Sequence, residues 1–152
     1  MTPPVLFLDF DGVLHPENAA RLDRRLERIV GENLFCWLFL LEALLAPYPE
    51  LRIIVTSDWR RHLGNASLKE LLGPLGSRFL DVVLAYSPSR IDEITLEVEK
   101  RRLQHWLALD DHVTVQEAAV TNERLIWCPP AEGLSCERVQ RELAEKLARL
   151  KA

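Results

Sequence analysis

Two apolar runs in this chain stop on paired acids, and the rest of the hydrophobic pattern falls into place around them. Val5-Leu6-Phe7-Leu8 leads into Asp9-Phe10-Asp11-Gly12, and Trp106-Leu107-Ala108-Leu109 leads into Asp110-Asp111. Unbroken apolar runs of this length predict strands buried on both faces, as in a parallel sheet. Leu51 to Val55 predicts another strand, running into Thr56-Ser57-Asp58. Phe79 to Ala85 predicts a third, ending in Tyr86-Ser87-Pro88, and Arg124 to Trp127 a last short one before Cys128-Pro129-Pro130.

The intervening segments read as helices. Leu34 to Leu45 is apolar on all sides except Glu42 and ends before Pro47, which predicts a helix buried against a sheet or at a subunit interface, with Trp37 and Phe39 in its packing. Ser67 to Leu72 is a short helix broken by Gly73-Pro74, and Ser89-Arg90 opens a long one reaching about His105. His112 to Asn122 has no clear period and reads as a loop or short helix. Ser135 can cap a closing helix with the stripe Val139, Leu143, Leu147 and Leu150. Ala19 to Val30 permits a helix and carries Arg21, Arg24, Arg25 and Arg28 against Asp23 and Glu27. It is either a solvated face or a flap whose arginines meet an anionic substrate. Strands alternating with helices predict a single α/β domain over residues 1–152, with a flap or insert at about 13–33.

Composition narrows this reading only a little. The 152 residues carry a formal net charge of −4, which argues against broad non-specific nucleic-acid binding but leaves room for a local basic groove. Three cysteines without CxxC spacing suggest neither a zinc site nor a disulfide framework, so a reducing, cytoplasmic setting is expected. Met1-Thr2-Pro3-Pro4 has no basic start of a secretory signal, and the run Leu34–Leu41 is too short to cross a bilayer. No membrane association is expected, and monomer and homodimer remain open.

Acids at the ends of apolar strands are the main chemical signal. Burying a carboxylate is costly without compensation, so Asp9, Asp11, Asp110 and Asp111 suggest a cation or ligand site. In a parallel sheet, strand carboxyl ends open into the crevice where ligands bind. A hydroxyl at the end of the Leu51–Val55 strand, that of Thr56 or Ser57, can meet a phosphate oxygen or cap the following turn. Arg60 either reaches a substrate phosphate or is solvated.

The apolar strand ending in Asp9-Phe10-Asp11-Gly12, the strand ending in Thr56, the basic Arg90 and the strand ending in Asp110-Asp111 stand in an order that resembles the four motifs of the haloacid dehalogenase (HAD) superfamily. The resemblance touches nearly the whole chain and is greatest to the small HAD domains of bacterial RNA-repair (Swiss-army-knife) proteins. It implies a three-layer Rossmann-like α/β core with a mainly parallel central sheet. The spaces between Gly12 and Leu51 and between Thr56 and Arg90 leave room for no more than a minimal cap.

The resemblance further implies Asp9 as nucleophile, Asp11 as general acid/base, and Mg2+ held among Asp9, Asp11, Asp110 and Asp111. Thr56, Ser57, Arg60 and Arg90 are the expected substrate contacts, with the 100–102 basic cluster as the alternative to Arg90. The implied activity is that of a magnesium-dependent phosphatase working through an aspartyl-phosphate. An open site suits bulky phosphoesters such as RNA or DNA 3′-phosphate ends. Two alternatives stay open at this point: a non-catalytic HAD-like binding module in an RNA-repair assembly, and a phosphotransferase.

Overall fold

A computed structural model describes residues 2–151. In chain order the elements are β1 (Val5–Leu8), β2 (Arg21–Asp23), β3 (Arg28–Val30), α1 (Leu38–Leu45), β4 (Arg52–Val55), α2 (Asn65–Leu71) and β5 (Phe79–Val82). α3 (Arg90–Arg101), β6 (Trp106–Asp110), α4 (Val113–Ala119), β7 (Leu125–Trp127) and α5 (Glu137–Lys151) follow. Five strands form one sheet in the order β5-β4-β1-β6-β7, and every pairing within it is parallel.

Side chains alternate across this sheet, so each central strand feeds two cores. Leu6 and Leu8 of β1, Ile53 and Val55 of β4, and Leu107 and Leu109 of β6 join Leu41, Leu45, Leu68, Leu143 and Leu147 in one cluster. Val5, Phe7, Ile54 and Ala108 face the other way and join Ile94 of α3 and Val115 of α4. Helices thus cover both faces, giving the three-layer α/β arrangement. Leu8 lies in register with Val55 on one side and Leu109 on the other, so Asp9, Thr56 and Asp110 leave the sheet side by side.

Some elements depart from expectation. Residues 21–30 form the antiparallel hairpin β2–β3, not a helix. Asp23 Oδ1 accepts from the N–H groups of Arg25 and Leu26, which fixes a turn, and Glu27 takes φ +49°. Helix α1 starts only at Leu38, because Asn33 and Phe35 adopt left-handed φ values of +61° and +53°. Phe39 is 64% exposed, outside the packing expected of it. α3 ends at Arg101, with Arg102 left-handed, short of His105. The undecided stretch after His112 contains the helix α4. Among the described residues, no helix is long and apolar enough to cross a membrane.

Candidate active site

Two of the central strands, β1 and β6, deliver the acids. Asp9 follows β1, Asp110 closes β6 and Asp111 comes next, and each offers a carboxylate oxygen within 4.8 Å of the others. Gly12 makes this proximity possible. It takes φ +76°, and a Cβ there would stand 2.1 Å from Asp111 Oδ2.

The surrounding groups hold the acids in place. Phe10 N–H donates to Asp9 Oδ1 at 2.8 Å and His112 N–H to Asp110 Oδ1 at 3.0 Å. Thr56 Oγ1 donates to Asp110 Oδ2 at 3.1 Å, and Arg90 Nη1 donates to the same oxygen at 3.0 Å. The Arg90 guanidinium also lies 3.6 Å from Asp9 Oδ1 and 3.1 Å from Glu93 Oε1. Of the expected basic residues, then, Arg90 reaches the acids. Lys100 and Arg102 are exposed, and Arg101 is bound to Glu97 and Asp81.

Asp9 and Asp110 share the Arg90 guanidinium with Asp58 and Glu93, so the acids outnumber the positive charge beside them. Burial pushes Asp9 up to about 8 against the opposing pull of Arg90, with Asp111 adding to the rise. Burial likewise raises Asp110 to about 7, reinforced by Asp9, and Asp111 to about 6. Burial disfavours the Arg90 cation, but Asp110, Asp9, Asp58 and Glu93 outweigh it and raise its value. This donor set of hard carboxylate oxygens, short of positive charge, fits a small divalent cation such as Mg2+.

Asp11 stands apart. Its carboxylate lies outside the three-acid group, although the sequence suggested it as a fourth metal ligand. The physical reason is competition from two other groups. His15 Nε2 lies 2.7 Å from Asp11 Oδ1, and Trp59 Nε1 donates to the same oxygen at 3.2 Å. Phe35 N–H donates to His15 Nδ1 at 3.2 Å, so in the neutral ring the proton sits on Nε2 and points at Asp11. His15 is fully buried, with the Phe35 ring edge-on at 5.1 Å. Neither His15 nor Trp59 was singled out from the sequence. The signal was present only as a histidine four residues after Asp11.

Arg60, expected either to reach a phosphate or to be solvated, is instead buried with its guanidinium bonded to the protein. Its Nε donates to Val83 O at 2.8 Å, Nη1 to Thr56 O at 2.6 Å, and Nη2 to Ala85 O at 2.9 Å and Glu93 Oε2 at 2.7 Å. The side chain is buried and ties the loop after β4 to the loop after β5 and to α3. Ser57 Oγ accepts from Trp59 N–H at 3.2 Å, capping the 3-10 turn Asp58–Arg61.

A family model described as the HAD domain in Swiss Army Knife RNA repair proteins matches residues 5–139. No curated protein and no solved structure matches the chain.

Proposed function

From the premise that the chain belongs to the family of HAD domains of Swiss Army Knife RNA repair proteins, we propose that it is a magnesium-dependent phosphomonoester hydrolase. The observation that carries this reading is the convergence of Asp9, Asp110 and Asp111 to within 4.8 Å of one another, with the Arg90 guanidinium against Asp9 and Asp110 and the Thr56 hydroxyl on Asp110. Asp9, Asp110 and Asp111 would hold the cation. When bound, Mg2+ supplies positive charge that keeps the acids ionised and lets a phosphate dianion approach them.

Asp9 has the role of nucleophile. Its carboxylate attacks phosphorus in line, the bond from phosphorus to the ester oxygen breaks, and an aspartyl-phosphate forms. Arg90, 3.6 Å from Asp9, meets charge developing on the phosphoryl oxygens. Thr56 holds Asp110 in place through its hydroxyl. Asp11 gives its proton to the departing alkoxide and then takes one from the water that attacks the aspartyl-phosphate. Its Oδ1 is held by His15 and Trp59, which leaves Oδ2 to carry that proton.

Bulky substrates such as RNA or DNA 3′-phosphate ends are the favoured class. Between β1 and β4 the chain inserts only a hairpin and the eight-residue α1, which supports a mouth open to large groups. Among the described residues, Arg21, Arg24, Arg25 and Arg28 of the hairpin are exposed and enter no ion pair, leaving four cations for a phosphodiester backbone.

The test is hydrolysis of p-nitrophenyl phosphate with and without magnesium. Activity is expected to require the cation and to fall to background in Asp9→Asn. Turnover surviving in that variant would remove Asp9 from the role of nucleophile.

A further inference from the structure

Beside the acids lies a cleft of about 390 Å³ whose lining includes Asp58, Arg61, His62, Ser87, Arg90 and His112. Arg90 is common to the cleft and the acid cluster, so whatever is attached to a phosphate at the acids has this cleft as its neighbour. Tyr86 stands next to it in the chain, 57% exposed and belonging to neither apolar core.

That tyrosine is held by stacking. The Arg61 guanidinium carbon lies 4.3 Å from the ring centroid, and that of Arg60 lies 4.8 Å away. Arg60 is locked by its main-chain partners and Glu93, and Arg61 is tethered to Asp58 at 3.6 Å and Glu93 at 3.7 Å. An exposed aromatic ring is thus fixed without serving the core. Pre-ordering of this kind lowers the entropy lost when a flat ligand docks.

Charge selects what can dock. Each arginine of the cleft already has a carboxylate: Arg61 has Asp58 and Glu93, and Arg90 has Asp110, Asp58 and Glu93. With Arg61 and Arg90 balanced by Asp58 and Glu93, and Arg90 already turned to the scissile phosphate, the cleft has no surplus positive charge for a second phosphate, whereas an uncharged planar ring would stack without disturbing any pair. We propose that the Tyr86–Arg61 stack is a subsite for the nucleobase adjoining the scissile phosphate, so that the substrate is read as a nucleotide end. The neighbouring phosphate is supplied by the phosphomonoesterase reading, on which this inference rests.

The experiment uses full-length Asp9→Asn protein with magnesium and a fluorescent single-stranded RNA ending in a 3′-phosphate, the last nucleotide either normal or abasic. Loss of that one base should weaken binding about tenfold, within the usual range for a stacked base. Tyr86→Ala should impose a similar loss on the normal end and none on the abasic end, while Tyr86→Phe keeps the preference. Equal affinity for the two ends, or equal weakening of both by Tyr86→Ala, overturns the subsite. A 3′-nucleoside monophosphate that competes as well as the strand identifies a free nucleotide as the ligand, and poor competition identifies a strand end; both outcomes support a base subsite. Hydrolysis of glycerol 2-phosphate by the unaltered protein, which needs no base, reports separately on the phosphatase reading.

Discussion

Asp11 meets its surroundings through one oxygen, and the two N–H groups on that oxygen set where the other one points. Trp59→Phe removes one donor while keeping most of the ring volume. It should lower kcat by about three- to tenfold with little change in KM, the loss expected of one neutral hydrogen bond used in orientation. His15→Ala should cost more, because the Phe35 N–H also loses its acceptor. His15→Gln can restore a donor near the Nε2 position and should recover part of kcat. Steady-state kinetics on p-nitrophenyl phosphate check this series, and equal kcat in Trp59→Phe and the parent would remove Trp59 from a positioning role.

Between elements, the main tie is Arg60, which binds carbonyls from the loops after β4 and β5 and pairs with Glu93 of α3. Breaking a buried pair by removing one partner costs about 3–5 kcal/mol, so Arg60→Met should show that loss in urea unfolding. Glu93→Gln keeps a hydrogen-bond acceptor for Arg60 and should cost less. The hairpin carries a separate expectation. Replacing Arg24 and Arg25 by alanine should flatten the salt dependence of single-stranded RNA binding by about 0.7 in log–log slope per arginine that contacts phosphate. An unchanged slope would show that the hairpin faces solvent only. These two elements also mark the limit of what could be read in advance. β1, β4 and β6 were legible because burial on both faces leaves an unbroken apolar run, and the acids and Thr56 stand at their ends, whereas Arg90, at the start of α3, was suggested only by the resemblance to the HAD motifs. The hairpin was not, since its three-residue strands carry charges and only Ile29 is buried. Nor was Arg60, because its partners are mostly main-chain carbonyls brought near by the fold, and no side-chain pattern records them.

For the molecule as a whole, the acid cluster couples stability to pH and to cation. Asp9, Asp110 and Asp111 are raised by burial from 3.8 to about 8, 7 and 6. The folded chain therefore holds more protons than the unfolded chain across this window, and cation-free stability should fall as pH rises from about 4 to 8. Magnesium should reverse the trend, with its effect growing toward pH 8 as the acids ionise. At a hundred times its Kd it would add about 2.7 kcal/mol, or about 5–10 °C in Tm for a domain of this size. Thermal melts at several pH values with EDTA or magnesium test both signs, and a cation-free Tm that rises across the window would contradict the burial of these acids.

The central place of β1 also governs how the molecule comes into being. Its four residues hydrogen-bond to a strand near position 52 and to another near position 106, so the nucleophile's own strand is completed only after two wide loops of chain have closed. Such non-local closure is expected to make refolding slower than that of a helical bundle of the same length. Asp9 meets Asp110 and Asp111 only once β6 has paired with β1, so the place that would hold a phosphate exists only in a chain whose central sheet is complete.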